Sequence, residues 1–204
     1  MRVRPGQISL LLALALSIPN ATALAEKPAE PKTALFAGGC FWCMEKPFEI
    51  LPGVLSVTSG YTGGEIEGPS YAQVSSHATK HREAIRVVYD PGRIGYERLL
   101  EVYWHNIDPT QADGQFCDRG HQYTSAVYVR TPEERAAATA SKEAVQAALG
   151  KTVVTEILDA STFWVAEGYH QDFYKTNPAR YHSYRTGCGR DARLTELWGS
   201  QAGH

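Results

Sequence analysis

The sequence predicts one α/β domain, a mixed β-sheet with helices packed on it, followed by a long irregular C-terminal tail. Strand-like and helix-like segments alternate along the chain in two β-α-β-like passages. No internal repeat recurs at a fixed period. A chain of 204 residues, 43% hydrophobic and 21% charged, also suits one ordinary core. The formal net charge of −2 offers nothing to nucleic acid or to an acidic membrane surface.

The elements follow in order. Thr33–Ala37, "TALFA", reads as a short strand ended by Gly38 and Gly39, and a helix begins at Cys40 and reaches about Ile50. Pro47 either bends that helix or marks a break in it. Val54–Tyr61 is a second strand, and residues 62–81, rich in Gly and Ser, form a loop. "EAIRVVY", Glu83–Tyr89, is a strong strand closed by Asp90-Pro91-Gly92. Leu99, Leu100, Tyr103 and Trp104 carry helical periodicity, and residues 108–122 form a long loop. Tyr123–Arg130 alternates as a strand. Thr131 then caps a helix, with Pro132 in its first turn and Glu134 completing a capping box; Gly150 ends it. Val153–Leu158 is another strand, Glu167–Thr176 a helix stopped before Asn177-Pro178, and residues 179–204 show little regular pattern.

The N-terminus carries an export signal by its composition. Arg2 and Arg4 form a positive n-region, Ile8–Ile18 is apolar, and Ala23 and Ala25 precede a cut ahead of Glu26. The apolar run is shorter than the roughly 20 residues a bilayer span needs. The expected organisation is a signal over 1–25, a Pro-rich disordered leader over 26–32, the folded domain over 33–190 and a tail over 191–204. The mature protein is expected outside the cytoplasm, in the periplasm or secreted, free of the membrane and monomeric.

Four cysteines in an exported chain ordinarily mean two structural disulfides. Cys40 and Cys43 make a poor staple, because so short a loop removes little entropy from the unfolded chain. The sequence places Cys40 where a strand turns through two glycines into a helix, so that unpaired N–H groups of the first turn lower its pKa and make it the nucleophile. Two other readings stay open on the residues alone. Cys40 and Cys43 form a thioredoxin-like C-x-x-C pair, opposed by the two bulky aromatics between them; or the four cysteines hold a structural zinc, opposed by the wide separation of Cys117 and Cys188.

Residues 39–64, "GCFWCMEKPFEILPGVLSVTSGYTGG", resemble the active-site segment of A-type peptide methionine sulfoxide reductases. The likeness continues in "PSYAQVSSHATKHREAIRVVYDP", "YWHNIDPTQADGQFCDRGHQYTSAVY" and "EGYHQDFYKTNPARYHSYRTGCGRD", in that order. It implies a two-layer α/β sandwich around a β-α-β core and reduction of methionine S-sulfoxide, free or within proteins. It implies Cys40 as nucleophile, Glu83 as acid, Tyr71 and Tyr123 as donors to the sulfoxide oxygen, Asp118 as a further acidic group, and Phe41 and Trp42 as the methyl-binding aromatics. No metal and no cofactor are implied, and the final electrons come from a thioredoxin-like partner. Many members have Gly where this chain has Cys43, which leaves the disulfide route open.

The chemistry suits these residue types. A sulfoxide oxygen departs only once protonated, and a carboxylic acid raised by burial in the strand "EAIRVVY" supplies the proton. Phenols stabilise the charge developing on oxygen. The sulfenic acid left on Cys40 is then cleared by a second thiol. Cys188, in the glycine-flanked stretch "TGCGRD", is the favoured resolving cysteine; Cys43, near in sequence, and Cys117, next to Asp118, are the alternatives, and a relay between two disulfides also fits.

Overall fold

The computed structural model describes residues 30–203 together with Met1. The expected export signal and most of the expected leader fall within residues 2–29, outside the described residues. Lys32, assigned by the sequence to the leader, already pairs with Tyr89 as the first residue of β1 (Lys32–Ala37).

The chain continues through α1 (Phe41–Glu49), β2 (Val54–Thr62), α2 (Tyr71–Ser75), β3 (Arg82–Tyr89) and α3 (Tyr96–Trp104). A small hairpin, β4 (Gly114–Gln115) and β5 (Asp118–Arg119), precedes β6 (Ala126–Val129), α4 (Pro132–Leu149), β7 (Glu156–Asp159) and β8 (Trp164–Val165). The chain closes with α5 (Phe173–Thr176), α6 (Pro178–Gly187) and α7 (Arg190–Trp198). The main sheet has the order β7-β6-β1-β3-β2-β8. β1 and β2 both run antiparallel to β3, which lies between them, so α1 is the crossover of a split β-α-β unit. β6 and β7 pair directly in parallel across α4. This is the mixed α/β sheet the alternation predicts.

Side-chain alternation decides what β3 presents to α1. With a period of two, Glu83 shares a face with Ile85, Val87 and Tyr89. The last three join Phe36, Tyr61, Met44 and Phe48 in the main core. Burying a side chain such as Phe36 contributes about 1.5–3 kcal/mol. The opposite face buries Leu35, Ala37, Ala84 and Tyr128 under Leu158 and Phe163. Because both faces are covered, "TALFA" carries no polar alternation. The helix α1 continues past Pro47 without a break, while Phe41, Met44 and Phe48 line its core side.

Several boundaries differ from the sequence reading. The stretch expected as loop over 62–81 contains α2, opened by a reciprocal capping box between Ser70 and Gln73. At α4 Thr131 does receive the Glu134 amide, but the Glu134 carboxylate reaches back to the amide of Arg130. The expected helix over 167–176 is split at Asp172 (φ 52°) into a 3-10 turn, Gly168–His170, and α5. The strand expected from Tyr123 begins only at Ala126, behind a 3-10 turn over His121–Tyr123. The tail expected to be irregular is helical. α6 buries only Tyr181 and Arg185, an i, i+4 pair that makes no apolar stripe, so its periodicity is invisible in the sequence. Gly189 (φ 68°) turns the chain into α7, whose Leu194 is fully buried and whose Trp198 indole donates to the Ile107 carbonyl at 3.2 Å. Among the described residues no helix is long and apolar enough to cross a membrane.

Candidate active site

Cys40 is the N-cap residue of α1 and is only 6% exposed. The turn that delivers it needs glycine: Gly39 adopts φ 81°, and a Cβ there would stand 2.5 Å from the Cβ of Gln115. Gln115 cannot give way easily, because its amide clamps both the N–H (2.9 Å) and the carbonyl (2.7 Å) of Asp108.

Glu83 faces the head of the same helix from β3, opposite Tyr61 in the register, and is 2% exposed. Its carboxylate accepts the Phe41 amide at 3.0 Å. Burial pushes its pKa up to about 8 against the pull of that amide, and the charge of Asp118 adds to the rise.

The helix head therefore does not serve Cys40 as the sequence predicts. The Phe41 N–H is given to Glu83, and the Cys43 N–H to the Cys40 carbonyl at 3.0 Å. Burial holds the Cys40 thiol well above its ordinary pKa, with its hydrogen bond to Cys43 and the charges of Glu83 and Asp118 raising it further. Cys43, also buried, is drawn down to about 7 by the Cys40 hydrogen bond, with Arg190 and Arg185 assisting against desolvation. The resting pair keeps its proton on Cys40, and any charge falls on Cys43.

Around Cys40 lies a cavity of about 240 Å³ lined by Phe41, Trp42, Tyr71, Glu83, Asp118, Tyr123, Arg180 and Tyr184. Seven sequence-predicted residues meet there: Cys40, Phe41, Trp42, Tyr71, Glu83, Asp118 and Tyr123. Tyr71 is set by α2, whose first amide donates to Glu167 Oε1 at 2.8 Å while Oε2 accepts the Tyr61 hydroxyl at 2.8 Å. Burial first, and Glu83 next, raises the pKa of both Tyr71 and Tyr123, so both phenols remain O–H donors. The Trp42 indole donates to His170 Nδ1 at 3.0 Å and its ring stacks on Phe173 at 3.6 Å. His170 in turn packs on Phe41 and Tyr71.

The remaining cysteines are placed differently. Cys117, exposed, and Cys188, half-buried, are joined in a disulfide across 71 residues, whereas Cys40 and Cys43 are free. Cys188, the favoured resolving residue, is thus bonded to one of its alternatives and fixed at the C-cap of α6. Asp118 stands between the two pairs: its Oδ1 lies 3.9 Å from Cys117 Sγ, its Oδ2 lies 4.0 Å from Cys188 Sγ, and its carboxyl lines the Cys40 cavity.

Sequence reasoning missed Tyr184 and Arg180. Tyr184 gives its hydroxyl proton to Asp118 Oδ2 and sets its ring edge-on to Trp42. The available signal is its position four residues before Cys188, one helical turn away, with the Cys188 amide donating to its carbonyl at 2.9 Å.

Comparison with known proteins agrees with this geometry. The family described as peptide methionine sulfoxide reductase matches residues 32–202. Peptide methionine sulfoxide reductase MsrA 2 of Caulobacter vibrioides is 50% identical over 194 residues, 95% of this chain and 98% of the relative. Among solved structures, Mxr1 of Saccharomyces cerevisiae in reduced form matches with a TM-score of 0.70 at 29% identity, covering 74% of this chain and 88% of that one. Methionine sulfoxide reductase A of Corynebacterium diphtheriae matches with a TM-score of 0.66 at 32% identity, covering 72% and 76%. The yeast protein solved in complex with Trx2 matches at 20% identity and a TM-score of 0.51, covering 74% and 91%, a likeness of fold alone. The chain belongs to the peptide methionine sulfoxide reductase family.

Proposed function

We propose that this enzyme reduces methionine S-sulfoxide, free or within polypeptides, to methionine, with Cys40 as nucleophile and Glu83 as proton donor. The observation that carries the assignment is one cavity holding a buried thiol, a carboxyl with a pKa of about 8, and two protonated phenols. The thioether methyl sits against Phe41 and Trp42. Cys40 sulfur attacks the sulfoxide sulfur, and Glu83, neutral below about pH 8, protonates the oxygen. Tyr71 and Tyr123 donate hydrogen bonds to that oxygen as its charge grows, and Asp118 holds the polar wall opposite. Methionine leaves, and the oxygen remains on Cys40 as a sulfenic acid; the methionine sulfur gains two electrons and the cysteine sulfur loses them.

The observed disulfide is the natural end of a relay. Reduced Cys188 attacks the sulfenic acid, releasing water and forming a Cys40–Cys188 bond; Cys117 then attacks Cys188, freeing Cys40 and leaving Cys117–Cys188. A thioredoxin-like dithiol reduces that bond at exposed Cys117. The hydrogen bond between Cys40 and Cys43 favours a second reading, in which Cys43 makes the first attack. Mapping the disulfide trapped in Cys117→Ser after one turnover decides between them: Cys40–Cys188 supports the relay, and Cys40–Cys43 supports the second reading. The assignment as a whole is tested by mixing fully reduced enzyme with methionine sulfoxide and no other reductant. Methionine should form in stoichiometric amount as thiols disappear; thiol loss without methionine would overturn it.

We also read residues 1–25 as a cleaved export signal, placing a monomeric enzyme in the periplasm. Its support is the Arg2/Arg4 n-region, the apolar Ile8–Ile18 and the Ala23/Ala25 cut site. N-terminal sequencing of protein from the cell envelope should begin at Glu26.

A further inference from the structure

Among the residues that line the cavity around Cys40, Arg180 alone is basic. It stands in the first turn of α6 and is exposed, whereas Cys40 is buried. Arg180 therefore marks the mouth of the cavity and Cys40 its floor. The acidic groups that line the cavity, Glu83 and Asp118, already accept the Phe41 amide and the Tyr184 hydroxyl.

The Arg180 guanidinium has no polar partner. Among the described residues it takes part in no hydrogen bond and no ion pair, and its contacts are with the Trp42 and Phe173 rings. Those rings do not satisfy it. Its central carbon lies 5.6 Å from the Trp42 centroid and 5.8 Å from the Phe173 centroid, yet the two centroids are only 3.6 Å apart in a parallel stack. A cation over an outer ring face would be near one ring and far from the other. Nearly equal distances place it beside the stack, at the ring edges, where the aromatic quadrupole is positive and cation–π attraction is lost. Other cations of the C-terminal segment are engaged by acids: Lys175 by Glu49 and Asp172, Arg185 by Asp191, and Arg193 by Asp108 and Glu196. Arg180 keeps its planar fork of donors open at the mouth.

We propose that Arg180 determines specificity by receiving a carboxylate that the substrate carries beside its oxidised side chain. That carboxylate is the α-carboxylate of free or chain-terminal methionine sulfoxide, or the side chain of an Asp or Glu next to it in a polypeptide. The inference deepens the reading of this cavity as the methionine sulfoxide site and rests on it. With the sulfur at Cys40 and the methyl group against Trp42, the α-carbon lies three bonds from the sulfur, so the groups flanking it reach the mouth. A carboxylate there meets the guanidinium fork in two parallel hydrogen bonds. The same charge is kept from the floor, where burial penalises it and Asp118 repels it, so it points the thioether inward. Arg180 touches no reacting atom, and its contribution therefore falls on binding.

The test compares matched substrates in steady-state turnover. N-acetylmethionine sulfoxide is set against its uncharged methylamide, and an end-capped peptide with Asp beside methionine sulfoxide is set against the same peptide with Asn. The wild-type enzyme should favour the charged member of at least one pair by about fivefold in kcat/KM, the upper range for an exposed ion pair, with the difference in KM. A preference confined to the first pair identifies the α-carboxylate as the source, and one confined to the second identifies the neighbouring side chain. Arg180→Gln should remove the preference, Arg180→Glu should invert it, and added salt should shrink it in the wild type. Arg180→Lys should retain part of it, because the charge survives without the fork. Each ratio is taken within one variant, so a general loss of activity cancels. Equal kcat/KM within both pairs in the wild type, or a preference that survives Arg180→Gln, would overturn the role of Arg180. The underlying reading fails in a different way: an enzyme that reduces none of these substrates has no methionine sulfoxide site in this cavity, whereas one that reduces all of them without preference loses only the carboxylate contact.

Discussion

The two cysteine pairs both meet Asp118, yet they live in opposite environments. Cys40 and Cys43 are free thiols buried at the head of α1, where each shifts the other's pKa. Cys117 and Cys188 are covalently joined, and Cys117 stands in solvent. The contrast separates two tasks that one cysteine cannot perform well. Oxygen transfer needs a dry site, because desolvation keeps Glu83 protonated and strengthens the phenol donors. Electron entry needs a sulfur that another protein's thiolate can reach in line with the bond it breaks. The inner pair serves the first task and the outer pair the second.

The comparison can be broken most directly at its inner end. Cys40→Ser should reduce turnover of methionine sulfoxide to background, measured as methionine by chromatography; residual turnover above that level would move the chemistry elsewhere. Next comes Glu83→Gln, which should lower single-turnover oxygen transfer by about 10²–10⁴-fold. In the unmodified enzyme the acid is protonated below its pKa, so the rate should be flat below about pH 8 and fall above it. The amide variant should lack that break, and its persistence would mean that another group is the acid.

At the outer end the effect should be smaller and of a different kind. Cys117→Ser should leave the first turnover near wild type while steady-state turnover with a thioredoxin-like reductant falls about tenfold or more, because the relay then ends on the buried Cys40–Cys188 bond. Cys43→Ser should retain both phases if the outer pair is the exit. Reversed behaviour of the two variants would exchange their roles. The mildest change is Trp42→Phe, which keeps an aromatic wall but loses the indole hydrogen bond to His170. One hydrogen bond of about 1 kcal/mol corresponds to a rise in KM of roughly fivefold, with little change in kcat. A change in kcat alone would mean that Trp42 does more than position the methyl group.

Much of the inner site is legible in the sequence alone. Two glycines before Cys40, an apolar strand opening at Glu83 and the tyrosines of the motif blocks lie where local rules and resemblance both act. The outer site is less legible. α6 is built on Tyr181 and Arg185 and has no apolar stripe, so the segment holding Tyr184 and Cys188 reads as irregular. The short α2 is readable from Ser70 and Gln73, a capping box hidden in a glycine-rich stretch. The expected lowering of the Cys40 pKa fails, because a helix terminus lowers a thiol's pKa only where its N–H groups face the sulfur and burial does not outweigh them.

The sequence by itself determined the alternating α/β architecture, the placing of Cys40 at the entrance of a helix, and the acid–thiol–phenol composition of the site. The first two depend on neighbours along the chain, on period and on turn-forming glycines, and the third on the likeness of the motif blocks to the family. Only the tertiary structure decided which cysteines are joined, that the Phe41 amide goes to Glu83, and that Tyr184 donates to Asp118 in the cavity that holds Cys40. Each of these joins residues tens of positions apart through burial and direction, and neither quantity is carried by any local stretch of sequence.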